Sequence, residues 1–147
     1  MRLGTCGIMN LSFTAGDVVV CTKGSVFIQT NYGSIINGDK ENAYTLTKKI
    51  FPDHGLSQSM IANMKEIIGE SNVKEGGNCS ADSFYGSEGR NDPNFEDLNS
   101  DLIDRLKEHF PECCSLEMET FKLLSLAEQT SGDNKIYACG AAIGLID

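Results

Sequence analysis

Two hydrophobic periods run through the chain, one of about four residues and one of continuous β-branched character, and together they outline its elements. Leu56, Met60, Ile61, Met64, Ile67 and Ile68 recur at helical spacing, with Ser57 and Ser59 near the start and Gly69 able to end the run. The pattern predicts an amphipathic helix over 56–69 with methionines as core filler. Leu98, Leu102, Leu106 and Phe110 stand four apart with Asp97, Asp101, Asp104 and Glu108 among them, predicting a second helix over 98–110 that Pro111 stops and whose acids form a solvated face. A third helix, apolar over most of its surface, is predicted from Phe121 to about residue 130. Between the helices, Val18-Val19-Val20-Cys21 is a run of the kind buried on both faces of a sheet, and 25–29 continues or pairs with it. Further strands are predicted over 73–84, broken by Gly76-Gly77, at Cys113 to Leu116, and over 136–146.

Strands alternating with helices predict an α/β domain with a mixed, largely parallel central sheet flanked by helices. Two segments fall outside the pattern. Arg2-Leu3-Gly4-Thr5-Cys6-Gly7 reads as the exit of a strand into a glycine-rich turn, and the polar stretch 31–54, with Gly33, Gly38 and a Phe51-Pro52-Asp53 break, reads as a long loop with one helical turn.

Composition narrows the picture. A chain of 147 residues, 40% hydrophobic and 22% charged, has room for one domain, taken here as 1–147. The formal charge of −9 argues against a nucleic-acid partner, which needs a basic stripe. An anionic substrate must be held by a few local donors, and the arginines are only Arg2, Arg90 and Arg105. The six cysteines form no C-x-x-C pair and the two histidines do not cluster with them, so reduced, mostly buried thiols are expected and no metal site. Asn10-Leu11-Ser12 and Asn78-Cys79-Ser80 match a glycosylation sequon, but Met-Arg-Leu-Gly-Thr is not the start of a signal peptide and no apolar run approaches the roughly 20 residues that cross a bilayer. The expectation is a cytoplasmic protein with no membrane partner.

Candidate chemistry gathers at three places. The first glycine-rich segment is either a plain turn or an anion cradle, with backbone N–H groups, the Thr5 hydroxyl and the Arg2 fork as donors. The segment after the 73–84 strand carries Phe84, Tyr85, Glu88 and Arg90, enough to stack on a planar ring and hydrogen-bond its edge, or else a surface loop with Phe84 turned inward. Glu117-Met118-Glu119 sets two carboxylates at a strand end, where open α/β sheets place ligands. His54 is an acid or base by type and an ordinary loop histidine by context.

Taken in this order, with Gly-Asp-Val-Val-Val between the first two, these segments resemble the nucleoside phosphorylases, and within them the uridine phosphorylases, over nearly the whole chain. Arg2-Leu3-Gly4-Thr5-Cys6-Gly7 looks like the family's phosphate-binding turn, Ser80-Ala81-Asp82-Ser83-Phe84-Tyr85 with Gly89-Arg90 like its base-recognition loop, and Ser115-Leu116-Glu117-Met118-Glu119-Thr120 like its ribose-binding strand end. The resemblance implies reversible phosphorolysis of uridine to uracil and ribose 1-phosphate, with inorganic phosphate as co-substrate and no cofactor. It implies that Arg2 and Thr5 hold phosphate, and that Glu119 accepts from the ribose hydroxyls with Met118 packed on the sugar and Glu117 shaping the same wall. It places Phe84 and Glu88 against the base and Arg90 on the uracil carbonyl. Arg90 and Glu119 are then the expected catalytic residues, and a homo-oligomer, dimer or hexamer, the expected assembly.

Two features depart from the family. Where Glu88 stands, uridine phosphorylases usually carry a glutamine, which both accepts and donates; a carboxylate only accepts. Glu88 therefore pairs with Arg90, reads a different base edge, or marks lost uracil binding. The chain also lacks the family's further N-terminal portion and its C-terminal helix, so it reads as a fragment with exposed sheet edges and apolar faces that is poorly stable alone or needs a partner. Purine nucleoside phosphorylase, nucleosidase, and a non-catalytic nucleoside-binding or oligomerisation remnant are the alternatives.

Overall fold

A computed structural model of the chain describes Met1–Leu145, and Ile146 and Asp147, where the last predicted strand was to end, lie outside the described residues. Six strands, β1 (Arg2–Ile8), β2 (Val18–Thr30), β3 (Tyr44–Leu46), β4 (Val73–Ala81), β5 (Cys113–Glu117) and β6 (Gly140–Leu145), form one sheet in the order β3-β2-β4-β5-β1-β6. The helices are α1 (Tyr32–Ile36), α2 (His54–Ile68), α3 (Leu102–His109) and α4 (Thr120–Glu128). Pairings β1/β6, β2/β4 and β4/β5 are parallel; β1/β5, β2/β3 and β2/β6 are antiparallel. The mixed α/β class expected from the alternation of elements is therefore present.

Strand β2 organises the sheet. Its first half pairs with β4 on one side and β6 on the other; its second half keeps β4 and exchanges β6 for β3. The exchange falls at a register shift between Cys21 and Ser25, where Gly24 adopts φ 92° and a Cβ would stand 2.9 Å from Ile50 O. A glycine bulge is the means by which one strand bends from one neighbour to another. Because β2 also meets β6, the strands β2, β4, β5, β1 and β6 close a ring, and the open edges expected of a fragment are absent among them. The expected apolar face is found: Leu3, Ile143 and Leu145, on the outer face of β1 and β6, are 57%, 39% and 49% exposed.

Five sequence expectations need correction. Residues 2–8 form a strand, not a turn, because β6 offers a complete parallel partner from Arg2↔Gly140 to Gly7↔Leu145. Gly76 and Gly77 do not break β4; a Cβ at Gly76 would stand 2.1 Å from Cys114 Sγ and one at Gly77 2.1 Å from Phe110 Cζ, so both glycines let a neighbour pack on an unbroken strand. The stretch 31–54 holds the expected helical turn as α1 but also a strand, β3, and Ile50 bridges to Ser25. Helix α3 starts at Leu102 rather than 98, since Leu98 takes a left-handed φ of 55° and Asn99 is drawn into bonds elsewhere. Similarly, the last strand begins at Gly140, leaving Ile136 and Tyr137 exposed.

Helix α2 follows its pattern closely. Asp53 caps it by accepting from Leu56 N at 2.8 Å, and Met60 and Ile61 pack on Val18, Val20 and Val73. On another side Leu102, Leu106 and Phe110, all fully buried, meet Val26, Ile28, Cys79 and Leu116. Burying each such side chain contributes about 1.5–3 kcal/mol. The face under α4 is different, for there Ser25, Asn78, Ser80, Ser115 and Glu117 are buried polar residues joined to one another: Ser25 Oγ donates to Asn78 Oδ1 at 2.6 Å, and Asn78 Nδ2 donates to Ser115 Oγ at 3.3 Å. That polar seam leads to the cleft described next.

Candidate functional site

Strand β1 pairs with β5 only at Gly7↔Leu116 and Ile8↔Ser115; beyond that point the two splay apart. The gap is a cleft of about 450 Å³, and Arg2, Thr5, Phe84, Glu88, Arg90, Glu117, Met118 and Glu119 all line it. These residues of the three sequence segments are thus brought to one place, whereas Tyr85 lines a separate pocket. His54 is not among them; it starts α2 and lines a separate hollow with Phe51 and Tyr137.

Arg2 is held by carboxylates. Its Nη1 lies 2.9 Å from Glu117 Oε2 and donates to Thr120 Oγ1 at 3.2 Å, while Nη2 contacts Glu119 Oε2. Gly4 makes this possible: a Cβ there would stand 2.6 Å from Arg2 Nη2, so the glycine serves the guanidinium rather than a turn. Pleat parity places Arg2, Gly4 and Cys6 on one face of β1, and Thr5 on the other with Leu3. Arg2 N donates to Cys139 O, so the even-numbered residues bond β6 and the N–H groups of Leu3 and Thr5 face the cleft. Thr5 lines the cleft, with its backbone N–H directed into it.

Glu117, 4% exposed at the end of β5, is the most heavily bonded group in the site. Ser80 Oγ donates to its Oε1, and Glu119 N and Thr120 N each donate to Oε2 at 3.0 Å. Burial alone would raise its pKa, but the Ser80 bond, the backbone donors and the Arg2 charge together hold it below the ordinary carboxylate value. Glu117 thereby caps the first turn of α4 and fixes Arg2. Glu119, its side chain 61% exposed, is left facing the cleft mouth with Met118 beside it.

The opposite wall is the segment 82–90 that follows β4. Arg90 lies over the Phe84 ring with Cζ 4.1 Å from the centroid, and its Nη2 donates to Glu88 Oε2 at 3.4 Å. Of the three readings of Glu88, the structure displays the pairing with Arg90. The loop is pinned by a network whose members the sequence reading assigned no role. Asp82 accepts from Thr30 N and Thr30 Oγ1, each at 2.6 Å, and from Ser87 Oγ at 2.7 Å. Burial works to raise the Asp82 pKa, and these donors outweigh it and lower it. Ser83 and Ser87 exchange backbone-to-hydroxyl bonds at 2.8 and 3.1 Å, and Asn99 Nδ2 donates to Gly86 O and Arg90 O at 3.0 and 2.9 Å. Gly89, at φ 73°, would drive a Cβ into Ile103, 2.5 Å away. The density of Ser, Asp and Asn after an apolar strand was the available signal for this scaffold.

All six cysteines are free and buried, as expected, and among the described residues no group of three His, Cys, Asp or Glu could hold a metal ion. No helix among them is long and apolar enough to cross a membrane.

The arrangement offers one cation fixed beside two carboxylates and another stacked on an aromatic ring across a single cleft. Such a site can hold an anion and a polyhydroxyl group at one end and a planar, carbonyl-bearing ring at the other. A comparison with curated proteins finds no match. Among solved structures, a uridine phosphorylase of the oomycete Phytophthora capsici shares 32% sequence identity and superposes with a TM-score of 0.87; the match covers 97% of this chain and 53% of that one, so the chain spans about half that protein's length. The family model described as Phosphorylase superfamily matches residues 1–133, and on that match the chain belongs to the phosphorylase superfamily.

Proposed function

We propose that this cleft binds uridine and inorganic phosphate and serves phosphorolysis to uracil and ribose 1-phosphate. The observation that carries the reading is the placement of Arg2 with Glu119 and Met118 on one wall and Phe84 with Arg90 on the other. Breaking the glycosidic bond builds positive charge on the sugar ring and negative charge on the departing base. In this reading Phe84 stacks on uracil and Arg90 donates to a uracil carbonyl, where it stabilises the charge as the C–N electron pair leaves with the base. Glu119 accepts from the ribose hydroxyls, Met118 packs on the sugar, and Glu117 keeps the wall in place. Phosphate sits against Arg2 and the cleft-facing N–H groups of Leu3 and Thr5, and one of its oxygens forms the new bond to the sugar carbon. Holding both reactants in line supplies most of the effect. The reaction needs no cofactor beyond phosphate, and the proposed setting is cytoplasmic, in a homo-oligomer.

The test is phosphate-dependent release of uracil from uridine, run beside inosine. Uracil release that rises with phosphate supports the reading; release from inosine alone moves it to purine nucleosides, and release without phosphate to a nucleosidase. The Glu88–Arg90 pair favours one second reading, nucleoside binding without turnover, because a carboxylate at 3.4 Å draws down the charge Arg90 can offer the base. Uracil binding with no turnover at any phosphate concentration is its signature.

A further inference from the structure

The segment 82–90 has two faces. Phe84, Glu88 and Arg90 turn to the nucleoside cleft, while Ser83, Tyr85 and Gly86 line a second pocket of about 450 Å³ on the other side. Four aromatic residues, Tyr32, Tyr44, Tyr85 and Phe95, and two acids, Asp92 and Asp97, are the chief components of its wall, which contains no Lys, Arg or His. Tyr32, Tyr85 and Phe95 are 63%, 65% and 68% exposed, an unusual concentration of uncovered rings around a concavity. Tyr44 is buried and donates its hydroxyl to Asp97 O at 2.7 Å, which fixes the floor and leaves the Asp97 carboxylate beside Gly86. Asp92 Oδ1 accepts from Asn94 N and Asn94 Nδ2, each at 2.9 Å, so this acid is oriented by its own turn.

These features select a ligand class. Two carboxylates and no cation in the wall exclude an anion. A purely apolar ligand would strip water from the acids with nothing in exchange. Ring faces are poor ligands for an inorganic ion. A small organic ammonium satisfies both components, since its charge meets Asp92 and Asp97 and its alkyl groups meet the negative faces of the rings. We infer that the pocket formed by Tyr32, Tyr44, Tyr85, Phe95, Asp92 and Asp97 binds an organic ammonium ion, and that its occupancy is coupled to base binding in the neighbouring cleft.

The coupling runs through adjacent rings. Tyr85 meets Phe84 edge to face at 5.3 Å, and Phe84 in turn carries the Arg90 guanidinium. A ligand that orders Tyr85 orders Phe84, and a base that stacks on Phe84 then loses less freedom on binding. This second half rests on the proposed uridine site; the first half does not.

Choline is the probe, and 3,3-dimethylbutan-1-ol, which has its shape without its charge, is the control. Calorimetric titration of the full chain should detect choline binding, at least about tenfold weaker binding of the neutral alcohol, and a similar loss in Asp97→Asn. Tyr85→Leu should weaken choline without unfolding the chain, because Tyr85 is exposed, and thermal melting checks this. With choline saturating, uracil should bind several-fold tighter, and uracil should tighten choline by the same factor. Equal binding of choline and its neutral counterpart, no binding of either, or unchanged affinity in Asp97→Asn overturns the ammonium site. Choline binding with an unchanged uracil constant overturns the coupling alone. Choline binding to a chain that never binds uracil keeps the pocket and removes the uridine reading.

Discussion

Replacing Glu117 with glutamine tests the centre of the site. The carboxylate is buried, accepts from Ser80 Oγ and from the N–H groups of Glu119 and Thr120, and pairs with Arg2 Nη1 at 2.9 Å. Glutamine keeps the shape but turns one acceptor oxygen into an NH₂, which must face either Arg2 and two backbone donors or the Ser80 hydroxyl. Removing one partner of a buried ion pair costs about 3–5 kcal/mol. For a chain of this size that corresponds to a melting point lower by on the order of 10 °C. The pH dependence gives a second, sharper readout. The folded-state pKa of Glu117 lies below its ordinary value of 4.5, so its ionisation stabilises the fold above about that pH, and the contribution is lost as pH falls through the folded pKa. Urea unfolding should therefore show the full gap between wild type and Glu117→Gln at pH 7 and a gap that shrinks as pH falls below 4.5 towards the folded-state pKa, since a protonated Glu117 is nearly isosteric with glutamine. A gap under about 1 kcal/mol at pH 7, or one that is the same at both pH values, would refute the reasoning.

Three further outcomes are expected. Glu88→Gln removes the carboxylate from Arg90 and restores a group that both accepts and donates, so uridine turnover should rise if uracil sits against this loop; equal or lower activity counts against that placement. Gly4→Ala should leave the fold melting cooperatively but displace the Arg2 guanidinium, whose Nη2 would be 2.6 Å from the new Cβ, raising the KM for phosphate more than that for uridine; the reverse order would move phosphate away from Arg2. Burial pushes the thiols up, Cys6 to about 11 and Cys21 and Cys114 to about 12, so a colorimetric disulfide reagent at pH 8 should react with none of the six cysteines in the native chain and all of them in denaturant; rapid native reaction of even one would show that its strand opens.

Local physics made some of the fold legible. Helix α2 carries its period and its stop at Gly69 within one continuous stretch, although its cap is Asp53 and not the serines near residue 57, and Val18 to Cys21 declares a buried strand by composition. The glycines misled wherever their reason lay far along the chain. Gly76 and Gly77 are explained by Cys114 and Phe110, and Gly4 by the reach of Arg2, none of which a turn propensity registers. Strand β1 hides its alternation because glycine occupies two of its positions, and only the β6 register supplies the reason for it to be extended. Ring closure is still less accessible, since it depends on β2 changing partners at a single bulge.

The site divides along the same line. The order of the three segments was enough to collect eight residues that the fold does bring to one cleft, because they lie on β1, at the end of β5 and in the loop that follows β4. The resemblance assigns the sugar to Glu119 and the wall to Glu117; what the residue types alone could not convey is why one of these two acids is the freer. Glu117 and Glu119 look equivalent in sequence, yet one occupies the last position of β5, where Ser80 and the first amides of α4 surround it, and the other stands two residues on with its side chain mostly in solvent. A carboxylate that already accepts from Ser80 Oγ, Glu119 N and Thr120 N has little capacity left for sugar hydroxyls. Glu117 is thus spent on holding the wall, and in the proposed reading the recognition of the sugar falls to Glu119, which pairs with Arg2.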